Sequence, residues 1–257
     1  VDLPVAARDA PWDGDAAAVS FFQGGKPRAD GIDSGIDALF DFPLYYPLRR
    51  AFAEGKPLRD VATTFGRDHL YVDPTKLVTF AGLHDVPRFM NEPGATVAGL
   101  KLAFTLAFTA RGIPLLYYGD EIAMRGGGDP DNRRDFPGGW PEDPRTAFER
   151  SGRTPDEESA LEHVRKLAHL RAELEPLRRG QMRHLAVSEQ TYAYARVAEA
   201  GSVVVIFNNS SEPATVACSV RAAGTRNGAV LVDRLGVGPD ARVEDGKIRV
   251  SLPARTA

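Results

Sequence analysis

The apolar residues of the first 180 positions fall into short runs with strand-like spacing, separated by longer segments with helical spacing. Residues 32–42, 77–80 and 113–118 suit buried strands. Residues 43–52, with Pro43 near the start, and residues 96–110, apolar on nearly every face, suit helices. Strand, helix, strand, helix and strand in this order predict a parallel sheet with helical crossovers.

The pattern changes in the second half of the chain. Residues 123–155 form a long loop rich in Gly, Pro and Asp, and residues 156–179 form an amphipathic helix that ends at Gly180. Short alternating runs separated by turn residues follow, which predicts an antiparallel β region. We therefore predict an α/β unit over residues 1–179 and a β unit over residues 180–257. The predicted strands of the β unit are residues 191–197, 202–207, 214–220, 230–233 and 247–252.

Composition narrows the function classes. The chain has 257 residues, a hydrophobic fraction of 43% and a net charge of -3, so it lacks the basic surface that nucleic acid requires. Cys218 is the only cysteine, which excludes an intrachain disulfide. No apolar run is long enough to span a membrane, and the first residues lack a signal-peptide pattern. We expect a soluble protein and leave a cytoplasmic or a secreted location open.

Acidic residues follow the predicted parallel strands at corresponding positions. Asp41 follows the first strand, His84-Asp85 follows the second, and Asp120-Glu121 follows the third. In parallel α/β proteins the carboxyl ends of the strands carry the functional site. The sequence therefore predicts a site around His84 and Asp85, although a solvated Asp at a strand-to-loop corner is an equal alternative.

Several motifs resemble the C-terminal half of the α-amylase family of glycoside hydrolases, and within it the cyclomaltodextrinase and neopullulanase-like enzymes. They are residues 80–90 (FAGLHDVPRFM), residues 113–124 (IPLLYYGDEIAM) and residues 129–133 (DPDNR). Residues 33–46 resemble the region of the family's sixth strand. The resemblance implies the C-terminal part of a TIM (β/α)8 barrel, from about strand five onward, followed by an antiparallel β-sandwich domain.

The resemblance also implies an activity, which is retaining hydrolysis of α-glucosidic bonds in starch, maltooligosaccharides or cyclodextrins. It makes Asp85 the carboxylate that stabilises the transition state and His84 a ligand of sugar hydroxyls. For the other candidate residues, the alternative roles are hydrophobic packing or an ion pair that orders a loop. The expected substrate-binding residues are Arg88, Asp129, Arg133, Trp140 and Tyr45.

Two departures from the family pattern limit this expectation. Leu83 stands where the family usually has Asn, and Asp9-Ala10 stand where it has the Gly-Glu of its acid/base. The strand that carries the family's nucleophile has no counterpart in the sequence. The chain is therefore expected to hold one of three catalytic carboxylates. The alternatives are an inactive carbohydrate-binding or structural remnant, or a hydrolase that has recruited Glu121 or Asp41.

A partial barrel is expected to have strand edges that another segment or chain must cover. Uncovered strand edges require a second copy of the chain or a complementing N-terminal half. No cofactor is required, and no metal site is predicted. Calcium is compatible with the acidic loop at residues 129–135, but a twelve-residue calcium-binding loop is missing from the sequence.

Overall fold

The structure is a computed structural model that describes residues 18–25 and 31–257. Residues 18–22 are helical. The positions predicted to replace the family's acid/base, Asp9 and Ala10, lie outside the described residues.

Within the described residues, three short strands form a parallel sheet. They are β1 (Leu39–Phe40), β2 (Leu77–Phe80) and β3 (Ile113–Leu115), in the order β1-β2-β3. The predicted parallel pairing is confirmed, but the outer two strands are shorter than predicted. Before β1, the Asp33 carboxylate accepts hydrogen bonds from the N–H groups of Gly25 (3.0 Å) and Gly35 (2.9 Å). After this turn, Ile36 forms an isolated parallel bridge with Gln23, and the ladder with β2 begins at Leu39.

Three helices connect and cover these strands: α1 (Phe42–Phe52), α2 (Leu58–Gly66) and α3 (Val97–Thr109). Asp41 caps α1, since its carboxylate accepts a hydrogen bond of 3.2 Å from the N–H of Leu44. Helix α3 is buried along most of its length, as its apolar composition predicts. None of the helices in the described ranges is long and apolar enough to cross a membrane.

The helix predicted over residues 156–179 is divided in two, α4 (Pro155–Glu173) and α5 (Glu175–Arg179). Leu174, between them, has an extended conformation. Pro176 contributes to the break, because proline has no N–H to donate to the carbonyl four residues before it. Arg178 partly compensates by donating to the carbonyl of Ala172, four residues before Pro176, and to that of Arg171 (2.8 Å).

The antiparallel β region contains two larger sheets and a short hairpin. One sheet has the order β4-β5-β6, from β4 (Gln181–Val187), β5 (Thr191–Ala198) and β6 (Gly201–Asn208). The other pairs β7 (Ala214–Ser219) with β10 (Lys247–Leu252), and the hairpin pairs β8 (Val230–Leu231) with β9 (Ala241–Arg242). Strands β4 and β9 were missed by the sequence prediction.

A continuous core joins the helices to the antiparallel sheet. It contains residues of α1 and α3 together with Tyr192, Tyr194 and Phe207, and the rings of Phe52 and Phe207 lie 5.8 Å apart. Arg196 is buried at this junction and donates to the carbonyls of Gly180 (2.8 Å) and Thr109 (2.9 Å). These contacts fix the β region against the parallel sheet.

Acid sensitivity is expected from His163 on α4, whose Nε2 lies 2.9 Å from Thr105 Oγ1. Burial, with a smaller effect of Lys101, lowers the pKa of His163 from 6.5 to about 4. The unfolded chain therefore binds more protons than the folded chain between these values, and stability falls as the pH drops through that window. His163→Gln is expected to flatten the decline in urea-unfolding free energy between pH 7 and pH 4.5.

His169→Gln provides the control, because His169 lies on the same helix but is exposed. It should leave the decline unchanged. Identical pH profiles for the wild type and His163→Gln would contradict the assignment.

Candidate functional site

His84 and Asp85 lie just beyond the carboxyl end of β2 and are open to solvent. Their side chains are 55% and 62% exposed, and His84 Nε2 lies 3.2 Å from Asp85 Oδ1. Leu83, before them, is buried against Tyr45 and Phe80. The pair is thus anchored from the strand side by an apolar residue and presents its polar groups outward.

The loop that contains residues 126–134 folds over this pair and adds two more predicted site residues. Arg133 Nε donates to the carbonyl of His84 (3.1 Å), and Arg133 Nη2 lies 3.7 Å from Asp85 Oδ1. The Asp129 carboxylate lies 3.0 Å from Arg133 Nε. His84, Asp85, Asp129 and Arg133 therefore form one exposed group, which we call the HD cluster.

Two buried side chains hold the HD cluster in place. Asn132 Nδ2 donates to the carbonyls of His84 (2.7 Å) and Val86 (3.0 Å), which fastens the loop to the strand end. From the opposite side, Arg49 of α1 donates to the carbonyls of Ala81 (3.1 Å) and Pro87 (2.8 Å). Both side chains are nearly fully buried, so their hydrogen bonds are shielded from water.

Arg88 and Asp120 form a buried ion pair beneath the HD cluster. Arg88 Nη1 lies 2.9 Å from Asp120 Oδ1, and the side chain of Arg88 is 0% exposed. This burial does not fit the predicted role of Arg88 in direct substrate binding. Burial raises the pKa of Asp120 to about 6, and the Arg88 guanidinium acts in the opposite direction.

The position of Asp120 in this ion pair also explains why the residue at position 82, just after β2, is a glycine. A Cβ on Gly82 would lie 2.6 Å from Asp120 Oδ2, which is far inside van der Waals contact. Because Gly82 has no side chain, the Asp120 carboxylate can lie close to the backbone at this position.

The two predicted aromatic ligands lie in different environments. Tyr45 is buried and its ring stacks on Phe80 at a centroid distance of 5.1 Å, so it serves packing rather than contact with a sugar. Burial raises the pKa of Tyr45 to about 12. Trp140 is 57% exposed and donates from Nε1 to Asp135 (2.9 Å). Across the described ranges, no hydrogen bond or ring contact joins Trp140 to the HD cluster.

The two candidate recruited acids also lie apart from the cluster. Asp41 is fully buried, pairs with Arg111 and caps α1, so it has no surface at which to meet a substrate. Glu121 lies in a single 3-10 turn after β3 and lines a separate cleft. Burial raises the pKa of Glu121, while the backbone N–H groups of Glu121 and Gly119 lower it.

Two of the three carboxylates of the acidic loop at residues 129–135 are paired with arginines, and the third, Asp135, accepts from Trp140. Asp129 pairs with Arg133, and Asp131 pairs with Arg134 and accepts a 2.6 Å hydrogen bond from the N–H of Gly127. Among residues 18–25 and 31–257, no group of three or more His, Cys, Asp or Glu side chains is placed to hold a metal ion. This arrangement suits sugar hydroxyls, which donate to carboxylates and accept from guanidinium groups.

Asn132 and Arg49 were missed as site residues by the sequence analysis. Asn132 falls within the quoted motif at residues 129–133, but its spacing gives no sign that its amide reaches the turn after β2, 46 to 48 residues earlier. Arg49 lies near the end of an amphipathic helix, where arginine usually interacts with the last carbonyls of its own helix. The only sign of this role in the sequence is that an arginine lies on the buried face of α1.

Comparison with known proteins gives consistent matches. Residues 182–229 match a family described as the cyclo-malto-dextrinase C-terminal domain. A cyclomaltodextrinase from Thermoanaerobacter pseudethanolicus is 33% identical over 67% of the chain. The crystal structure of an Anoxybacillus α-amylase superposes with a TM-score of 0.71, at 33% identity over 87% of the chain. An α-amylase from Geobacillus thermoleovorans, complexed with acarbose, superposes with a TM-score of 0.72 at 28% identity over the same share.

These relatives are longer than the region they share with the chain. The chain spans 29% of the cyclomaltodextrinase, 46% of the Anoxybacillus amylase and 47% of the Geobacillus amylase. The chain therefore belongs to the α-amylase family of glycoside hydrolases and matches the C-terminal part of its cyclomaltodextrinase-like members.

Proposed function

We propose that the HD cluster binds α-glucan oligosaccharides and that Asp85 supplies one carboxylate of a retaining glycosidase site. The observation that carries this proposal is the exposed His84-Asp85 pair at the carboxyl end of a parallel strand, with Asp129 and Arg133 beside it. The names of the relatives support the substrate class, since they include cyclomaltodextrinase, neopullulanase and maltogenic α-amylase.

The chemistry assigns different tasks to these groups. An ionised Asp85 stabilises positive charge at the anomeric centre as the glycosidic bond breaks. His84 and Arg133 hold sugar hydroxyls and keep the ring in the reactive position. Retaining hydrolysis also needs a carboxylate nucleophile and a carboxylic acid about 5–5.5 Å apart. Those two groups are expected to come from outside the HD cluster, consistent with the departures in the sequence.

We also infer that the parallel sheet is part of a (β/α)8 barrel, with residues 1–179 in the barrel and residues 180–257 in a β-sandwich. Apolar residues at both outer strands support this inference: Phe40 of β1 and Ile113 of β3 are exposed in the described structure. Further strands, from a complementing N-terminal half or a second copy, would cover these edges. Measuring the mass of the protein in solution tests for a second copy.

Asp85→Asn tests the proposed chemistry. The chain is assayed for cleavage of maltotriose and cyclodextrin, alone and mixed with a separately expressed N-terminal portion of the Thermoanaerobacter cyclomaltodextrinase. In the mixture, Asp85→Asn is expected to lower kcat by about 10²–10³, because a preorganised charge that stabilises the transition state is removed. Asp37→Asn is the matched control, since Asp37 is an exposed aspartate that pairs with Lys76 away from the cluster.

The alternative is a protein that binds carbohydrate without cleaving it, and the same exposed cluster is compatible with it. Maltotriose binding that is weakened by Asp85→Asn, without cleavage in any mixture, would favour this alternative. The proposed function would be contradicted if the protein neither bound maltotriose nor cleaved it in any mixture.

A further inference from the structure

A second cleft lies between the segment after β3, the loop before α4 and α4 itself. Its volume is about 420 Å³, within the range of ligand pockets. The cleft is lined by Tyr118 and Glu121 from the segment after β3, by Phe136 and Phe148 from the loop before α4, and by Arg165 of α4. Among the described residues, none that lines this cleft belongs to the HD cluster, so the two sites have different linings.

The cleft has an unusually exposed aromatic wall. Phe148 is 66% exposed, and its ring centroid lies 4.6 Å from that of Phe136. Folding normally buries phenylalanine, so an exposed ring that faces a concave surface indicates an interaction site. Flat aromatic faces of this kind pack against the apolar C–H face of a pyranose ring.

The loop that carries Phe148 is firmly held. The N–H of Ala147 donates to the carbonyl of Pro137 (2.9 Å), and Arg153 Nη1 donates to the carbonyl of Ala147 (2.7 Å). Arg145 forms a bidentate pair with Glu157 on α4 at 2.8 and 2.6 Å. The aromatic wall is therefore formed before a ligand arrives, which reduces the entropy cost of binding.

Among the polar residues of the cleft, the fold uses the Tyr118 hydroxyl, which donates to the carbonyl of Arg134 (2.8 Å), and Arg153, which pairs with Glu158, but it leaves atoms of Glu121 and Arg165 unused. Glu121 Oε2 is buried and accepts no hydrogen bond from any described residue. A buried oxygen without a donor is costly, and each such group requires an explanation. Arg165 is exposed and has no ion pair within the described ranges. One oxygen of the Glu121 carboxylate and the Arg165 guanidinium thus lie at the cleft without being used by the fold, while backbone N–H groups of Glu121 and Gly119 interact with the carboxylate.

We propose that this cleft binds a glucosyl unit, with its C–H face on Phe148 and Phe136, a hydroxyl donating to Glu121 and another hydroxyl accepting from Arg165. Glu121 is then a sugar-binding residue rather than a recruited catalytic acid. The choice of a glucosyl ligand rests on the substrate class proposed above. The cleft itself does not depend on hydrolysis at Asp85.

An NMR titration of the ¹⁵N-labelled chain with maltotriose tests the proposal. The amide signals of Glu121, Phe148 and Leu161 are expected to shift along a saturable curve. Phe148→Ala and Glu121→Gln should each weaken this binding by about tenfold, equivalent to about 1.4 kcal/mol. Asp37→Asn should leave the curve unchanged, because Asp37 pairs with Lys76 and lines neither the cleft nor the HD cluster.

Phe22→Ala serves as the matched control, since Phe22 is another exposed phenylalanine and does not line the cleft. Circular dichroism melting of every variant separates lost binding from lost folding. Absence of shifts at Glu121 and Phe148, or unchanged binding in a folded Phe148→Ala, would overturn the proposal. Shifts at His84 and Asp85 report on the HD cluster, so failure there is distinguishable from failure in the cleft.

Discussion

Replacing Arg88 with Met is expected to lower the free energy of unfolding by about 3–5 kcal/mol, the usual cost of removing one partner from a buried ion pair. Methionine keeps much of the apolar volume of the arginine stem but leaves the Asp120 carboxylate without its guanidinium. It also removes the hydrogen bond of 2.7 Å to the carbonyl of Tyr118 and the contacts with the Tyr117 and Tyr118 rings. Urea unfolding at pH 7 measures the loss.

The pH dependence of this loss has a definite sign. Burial raises the pKa of Asp120 to about 6 while Arg88 still lowers it, so removing Arg88 raises it further. At pH 5 Asp120 in Arg88→Met is then largely neutral, and burial of a neutral acid costs less. The destabilisation relative to wild type should therefore be smaller at pH 5 than at pH 7.

Two further variants test whether the buried ion pair itself accounts for the loss of stability. The double variant Arg88→Met/Asp120→Leu replaces the pair by apolar groups and should recover most of the stability. Arg234→Ala is the surface control, because it breaks an exposed pair with Glu173 and should cost less than about 1 kcal/mol. An Arg88→Met variant as stable as Arg234→Ala would contradict a stabilising role for the buried pair.

Gly99→Ala is expected to be the second most damaging substitution, costing about 2–3 kcal/mol through overpacking. Gly99 lies in the first turn of α3, where its N–H donates to the Thr96 cap at 3.1 Å. A Cβ at this position would clash with the carbonyl oxygen of Phe52 and would lie 2.6 Å from Arg255 Nη2. The carbonyl belongs to the end of α1 and cannot move without shifting that helix.

Gly66→Ala is the matched control for this substitution. Gly66 is also a helical glycine, at the end of α2, and a Cβ there would meet no atom within 4 Å. The change should be neutral or should stabilise the protein by about 0.4–1 kcal/mol by restricting the unfolded chain. Similar melting temperatures for the two variants would show that α3 can move away from α1.

Agreement between sequence and structure is good where local patterns determine the structure. Residues 77–80 form β2 as predicted, and the apolar segment at residues 96–110 forms the buried helix α3. Strand β4 was missed because it begins with Gln181 and includes Arg183 and His184, which break the apolar alternation. The helix break at Leu174 is hidden in the sequence because the amphipathic pattern continues through it and Pro176 is the one residue that opposes a continuous helix.

Roles of the charged residues were harder to predict. Arg88 and Arg133 are both arginines near predicted site motifs, yet the first is buried with Asp120 and the second lies exposed beside Asp85. Their partners lie 32 residues away for Arg88 and 48 residues away for Arg133 in the sequence. Local periodicity carries no information about contacts at such separations.

The sequence by itself determined the order and type of most elements, the parallel pairing of the first strands and the position of His84-Asp85 after β2. These features follow from hydrophobic spacing, helix caps and chain-breaking residues, all of which act within a few positions. Only the tertiary structure decided which polar residues are available to a ligand. It buries Arg88, Tyr45 and Asp41, and it exposes His84, Asp85 and Arg133, because burial depends on the segments that fold against each side chain.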